Sequence, residues 1–308
     1  MSAKQLVRLA VGLGVLLLLW GAAALIRDRE SASEGGGLAL PRLAPGDVDS
    51  VRIVRAADTT LLVRRDSSTW TVNGRPASAG APGELLTALA DTALAAELVA
   101  ERSASHAGLG IDSASGTRVR VAGNDSLLAD LIVGQRTPDL TGGYLRRAGD
   151  SLVYLVRGRL PELLSRTPDD WRDRKIAGVA PDSVAGIEVR RGFRSYALRR
   201  GERGWALGAR APADSAAVAE LLAAFRQVDA SGFAAPAQAD SARFSPPDRR
   251  TTLLGTDGAA LLVLAFDSTA GGFWVRADSG ATVYRVDSFT ADRLAPAESS
   301  VRASPRRP

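Results

Sequence analysis

The chain repeats itself, and that repetition limits its possible folds more than any other feature. Val63-Arg64-Arg65-Asp66-Ser67-Ser68-Thr69-Trp70 has a counterpart in Leu198-Arg199-Arg200-Gly201-Glu202-Arg203-Gly204-Trp205. Gly142-Gly143-Tyr144 recurs as Gly271-Gly272-Phe273, and Val153-Tyr154-Leu155-Val156 as Val283-Tyr284-Arg285-Val286. The members of each pair lie about 130 residues apart, the spacing of a duplicated module of ordinary domain size. Between the copies runs Trp171-Arg172-Asp173-Arg174-Lys175-Ile176-Ala177-Gly178. The 308 residues therefore divide into module one, residues 48–176, and module two, residues 177–301.

Module one opens on a period-two pattern, with Val51 and Ile53 on one side and Arg52 between them. An apolar return follows at 60–63, then 69–72, then Asn73-Gly74, a strong tight-turn signal. Leu85, Leu86, Leu89, Leu94 and Leu98 follow Pro82-Gly83 and predict a helix. Val119 and Val121 alternate with Arg118 and Arg120, and further strands are expected at 127–133, 144–146 and 152–156. Pro161-Glu162-Leu163-Leu164 closes the module as a short helix, since proline is tolerated in a first turn. Module two repeats that order, with strands at 187–190, 195–199, 205–207, 251–254, 260–266, 273–276 and 282–286. Its longer helix carries Val218, Leu221, Leu222, Phe225 and Val228 behind Asp214 as N-cap, and its short helix covers 289–294. Strands joined by hairpins imply an α+β fold of antiparallel sheet, with one longer and one short helix per module.

Leu9 to Ile26 is unbroken by any charged residue. As a helix it would extend about 27 Å, close to the hydrocarbon thickness of a bilayer. Lys4 and Arg8 precede it, whereas Arg27-Asp28-Arg29-Glu30 cancel on the far side. The positive-inside rule then puts residues 1–26 in place as a cytoplasmic N-terminus and transmembrane anchor, with the body extracytoplasmic. A cleaved signal peptide is the competing reading, because Ala22-Ala23-Ala24 could serve a signal peptidase; the long apolar core favours retention. Residues 27–47, with Gly35-Gly36-Gly37, read as a flexible linker, and residues 302–308 as a disordered basic tail.

The formal charge of +5 does not indicate nucleic acid. Lys4, Arg8, Arg27 and Arg29 set against Asp28 and Glu30, together with Arg302, Arg306 and Arg307, supply the whole surplus, and residues 31–301 are neutral. A nucleic-acid footprint needs a clustered excess.

The residues capable of chemistry are sparse. There is no cysteine, so disulfides and thiolate metal sites are impossible. His106, the single histidine, stands in a polar stretch with no Gly-x-Ser-x-Gly elbow anywhere to frame a serine, and reads as a surface or loop residue. Asp169, Asp170, Asp173 and Asp182 are close enough in sequence to suggest a hard cation, but Arg172, Arg174 and Lys175 interleave with them. A solvated, self-neutralising linker is the expected outcome there. Arg64-Arg65 and Arg199-Arg200 precede Trp70 and Trp205 in both modules, which suggests strand arginines lying over aromatic core anchors. Gly108-Leu109-Gly110 neither follows a strand nor opens a helix, so it is not a phosphate loop. Asn124-Asp125-Ser126 matches a glycosylation sequon too short to carry weight. No catalytic, cofactor or metal residue is assigned.

The order of several segments resembles the envelope family called domain of unknown function 4340. Those segments are Trp70, the leucine helix, Gly108-Leu109-Gly110-Ile111-Asp112, Ile132-Val133-Gly134, Tyr144-Leu145-Arg146 and Trp171-Arg172-Asp173-Arg174-Lys175. The resemblance implies an N-terminal membrane helix and an accessory role, since members are often encoded beside ABC-type transporter components of the gliding-motility type. The function expected is that of a non-enzymatic, membrane-anchored extracytoplasmic module docking on a transporter or another envelope partner, with the bilayer as its second partner. A glycan- or lipid-headgroup-binding module using a groove between the repeats is the alternative. A hydrolase built on His106 is the third.

Overall fold

The computed structural model describes Leu38 and residues 43–94, 96–209, 211–277 and 280–303. The apolar run 9–26, linker residues 27–37 and 39–42, and residues 304–308 lie outside the described residues. Among the described residues no helix is long and apolar enough to cross a membrane. The chain divides into two compact units, Met1–Arg172 and Asp173–Pro308.

The first unit holds β1 (Ser50–Val54), β2 (Thr59–Arg64), β3 (Trp70–Val72), β4 (Arg75–Pro76), helix α1 (Ala81–Leu94), β5 (Ala96–Ala100), β6 (Thr117–Gly123), β7 (Ser126–Arg136), β8 (Gly142–Arg147), β9 (Val153–Arg157) and helix α2 (Leu160–Leu164). Its nine strands form one sheet in the order β4-β3-β2-β1-β6-β7-β8-β9-β5. The period-two pattern decides the faces: Val51, Ile53, Val119 and Val121 point into the core, and Arg52 and Arg120 stay exposed. Leu85, Leu86 and Leu89 of α1 close that core, each at no more than 1% exposure and each contributing about 1.5–3 kcal/mol by burial. Asn73 and Gly74 both take positive φ, +47° and +79°, and turn β3 into β4 as the sequence predicts.

The second unit holds β10 (Lys175–Ala177), β11 (Gly186–Arg191), β12 (Arg194–Gly201), β13 (Gly204–Leu207), β14 (Ala211–Pro212), α3 (Ser215–Ala224), β15 (Val228–Asp229), β16 (Gly232–Phe233), α4 (Pro236–Ser241), β17 (Arg249–Leu254), β18 (Ala260–Thr269), β19 (Gly272–Ala277), β20 (Tyr284–Val286), α5 (Ser288–Leu294) and α6 (Glu298–Val301). Its large sheet runs β14-β13-β12-β11-β17-β18-β19-β20-β16, the strand order of the first unit repeated position for position. The pairings are antiparallel throughout the described strands, as expected for an α+β fold of this kind. Asp214 caps α3, its side chain accepting from the amides of Ala216 and Ala217 at 2.9 and 3.1 Å. Phe225 and Phe266 fill the core, with Phe273 edge-on to Phe266 at 6.4 Å.

Four expectations are corrected. The leucine helix stops at Leu94, and Leu98 belongs to β5, which pairs with β9 at the sheet edge. Likewise α3 ends at Ala224, and Val228 joins β15 in a two-stranded ribbon with β10. In both places an unsatisfied strand captured residues whose helical spacing was only local, so tertiary pairing overrode propensity. The second unit has two helices, α4 and α6, beyond the long-plus-short pair expected for each module.

The fourth correction is partial: the charges of the segment read as a solvated, self-neutralising linker are mostly exposed and Asp169 pairs with Arg172 as expected, but the tryptophan among them is not solvated. Thr167 and Asp170 form a capping box around a 3-10 turn, Pro168–Trp171, which drives Trp171 to 0% exposure in the first unit's core. The Ser78 amide donates to the Trp171 carbonyl at 2.8 Å, and the Arg166 guanidinium lies 5.2 Å from the indole centroid. Indole area outweighs the neighbouring charges in deciding where this turn goes. Trp70 and Trp205, expected as core anchors at equivalent positions, are each partly buried and pack against the cores of their own units.

Candidate functional site

His106 lies in a loop, but buried rather than at the surface. Its Nε2 is 3.0 Å from the Ser151 carbonyl oxygen. A carbonyl only accepts, so Nε2 carries the proton and donates it. Nε2 therefore cannot accept a proton from a substrate while this contact holds.

Three carboxylates of the acidic stretch have a local duty. Asp169 pairs with Arg172 at 2.9 Å, Asp170 accepts from the amide and hydroxyl of Thr167, and Asp173 accepts from the Lys175 amide. Asp182 is the middle residue of a 3-10 turn, and its backbone carbonyl receives Arg200 at 3.5 Å. No metal-holding group of three or more such side chains occurs among the described residues. Asn124 and Asp125, both at positive φ, form the tight turn from β6 to β7, so the sequon is a hairpin apex.

Three segments that carry the family resemblance meet in one structural node. Arg146 is 8% exposed; its Nε donates to the Ile111 carbonyl at 2.7 Å and its Nη1 to the carbonyls of Arg147 and Asp150 at 3.2 Å. Beneath this loop lies Gly134, where a Cβ would sit 2.4 Å from the Leu109 oxygen and 2.4 Å from the Ile111 side chain. Ile111, Ile132 and Val153 bury themselves in the same place. Gly108–Asp112, Ile132–Gly134 and Tyr144–Arg146 are thus a loop, the strand it lies on and the arginine that ties it down. Sequence reading ranked them as separate loose motifs because the contacts are long-range.

A recess that a charge cluster borders lies in the second unit, and sequence reading missed it. Register places Arg191 of β11 directly opposite Arg249 of β17, a like-charge pair that is unfavourable by itself. Asp292 of α5 resolves the conflict by reaching both, at 3.0 Å and 2.7 Å. Beside them opens a recess of about 520 Å³, lined among others by Arg191, Arg194, Tyr196, Glu298 and Arg302. Tyr196 donates from its hydroxyl to the Pro296 carbonyl at 2.9 Å, and burial raises the phenol above its ordinary range, so it stays a neutral donor. Arg302 is held by Glu298 at 2.5 Å, and its backbone bridges Ala213, so this residue does not belong to a loose tail. The signal available in the sequence was the charge pattern Arg190-Arg191…Arg249-Arg250, legible only once the register of β11 on β17 is known.

No curated protein and no solved structure matches the chain. The family described as Domain of unknown function (DUF4340) matches residues 70–247, from Trp70 at the start of β3 to the turn before β17. That match spans more than half of the sequence and both of its units, and the chain belongs to the DUF4340 family.

Proposed function

We propose that the chain is a membrane-anchored, extracytoplasmic binding module that docks on a partner in or near the same membrane and performs no chemistry of its own. The observation that carries this reading is the fate of the only imidazole: His106 donates from Nε2 to the Ser151 carbonyl and holds a loop in place. General acid–base work needs a nitrogen facing substrate. Support for the anchor comes from the apolar run 9–26 and the charge asymmetry of Lys4 and Arg8 around it. A tether of this kind raises the effective concentration of the body at membrane partners, which suits a scaffold offering two large sheets. An ABC-type transporter assembly is the partner class that the family resemblance suggests.

Two measurements test the proposal. Carbonate extraction of full-length protein should leave it in the membrane fraction, and a reporter inserted at Gly46 should be active outside the cytoplasm; alkaline release would overturn the anchor. His106→Gln keeps an N–H donor for Ser151 and should leave cellular function intact, whereas loss of function in that stably folded variant would promote the hydrolase reading.

A further inference from the structure

Beside the arginine recess, β11 turns into β12 through Gly192 and Phe193, with Arg191 paired to Arg194 across the hairpin. Gly192 has φ +58°, the first-position glycine that a type II′ turn favours. The turn holds Phe193 at 109% relative exposure, a phenyl ring wholly in solvent at a convex apex. Covering such a ring would remove its apolar surface from water, a favourable change available to any partner that receives it.

The charges around this apex do not cancel. Arg191 and Arg249 share Asp292, and Arg302 is bound by Glu298. Asp248, whose carbonyl accepts from the Gly192 amide at 2.7 Å, adjoins Arg249. With Arg194 counted, four guanidinium groups face three carboxylates. Arg194 is exposed and makes no ion pair among the described residues. Its planar fork is suited to phosphate oxygens, and Tyr196 and the neighbouring arginines bound the space beside it.

We propose that this end of the second unit docks on anionic phospholipid, with a headgroup phosphate received in the recess at Arg194 and Phe193 entering the interfacial layer as a wedge. The positive surplus attracts any anionic partner, a lipid headgroup or an acidic peptide alike; the feature that selects a lipid surface is the aromatic apex. The aromatic ring projects outward, whereas peptide recognition concentrates its apolar anchors in concave pockets. One wedge and one headgroup contact bind weakly alone, so the proposal rests on the tethered reading above for its effective concentration.

The test uses the full chain reconstituted in vesicles of phosphatidylcholine with or without phosphatidylglycerol. Because the protein has no cysteine, Ser195→Cys, exposed on β12, provides a single attachment point for an environment-sensitive dye. Emission should shift to the blue only in phosphatidylglycerol vesicles. The shift should be lost in Arg194→Glu and in Phe193→Ser, two exposed substitutions that leave the thermal midpoint unchanged. Equal emission in both vesicle types, or a shift that survives both substitutions, would overturn the proposal. So would an equal response to inorganic phosphate or to an acidic peptide without phosphatidylglycerol, because each assigns the recess to another occupant. Retention after a carbonate wash is scored separately, so failure of the anchor is distinguishable from failure of the lipid contact.

Discussion

Arg200 lies directly opposite Trp205 across the β12–β13 pair, and Arg64 stands opposite Trp70 across β2–β3. In each unit the arginine amide also bonds back to the residue preceding the first strand of the sheet, Ala185 at 2.9 Å or Asp49 at 2.8 Å. The spacing repeats but the register does not: the first arginine of the pair, Arg64, faces Trp70, whereas in the second unit it is the second arginine, Arg200, that faces Trp205 while Arg199 faces Ala206. The arginines differ in what else they hold, Arg64 reaching the Gly46 carbonyl and Asp49, and Arg200 the Asp182 carbonyl.

Trp70, Trp171 and Trp205 should separate sharply in stability. Trp171→Ala empties a fully buried volume and should cost about 3–5 kcal/mol. Trp70→Ala and Trp205→Ala remove half-buried rings and should cost about 1–2 kcal/mol each. Urea titration of the three variants checks the order, and equal losses would refute the assignment of Trp171 as the core plug.

Gly134→Ala should destabilise the first unit by about 1–3 kcal/mol, because the added methyl meets the Leu109 carbonyl and the Ile111 side chain in a place already packed. Gly271→Ala, where a Cβ meets nothing within 4 Å, is the control and should be nearly silent. Amide hydrogen exchange should localise the Gly134 effect to residues 106–112, the loop that Arg146 ties down.

Acid should loosen the β2–β3 turn. Hydrogen bonds from the Thr69 side chain and from the Ser68 and Thr69 amides hold the Asp66 carboxyl down to about 2 from its ordinary 3.8. Thr137 and Thr141 do the same for Asp139, also to about 2. A depressed folded-state pKa means that the stabilisation is present above the unfolded value and is lost as pH falls through the folded one. Stability should thus decline as pH drops from 3.8 toward about 2, and Asp66→Asn should flatten that part of the profile. A variant with an unchanged acid limb would show that the turn is not involved.

Asp292→Asn should leave Arg191 and Arg249 facing each other with their shared counter-charge gone. A loss of about 0.5–1 kcal/mol is expected at low ionic strength and should shrink in high salt as the repulsion is screened. A salt-independent loss would assign Asp292 a packing role instead.

The sequence by itself determined what depends on near neighbours. Alternation at Val51-Arg52-Ile53 decided which face of β1 is buried, Asn73-Gly74 decided a turn, Asp214 decided a helix start, and the repeat announced that one strand order would occur twice. Only the tertiary structure decided whatever needed a partner distant in the chain. Leu98 and Val228 left their helices because β9 and β10 offered backbone pairing, and Trp171 left its charged neighbours because the first unit's core took up its indole. Arg191 and Arg249 came to share Asp292 because the register of β11 on β17 set them face to face. Local pattern is written in one segment, whereas a core or a pocket is assembled from several, and their free energy appears only when those segments meet.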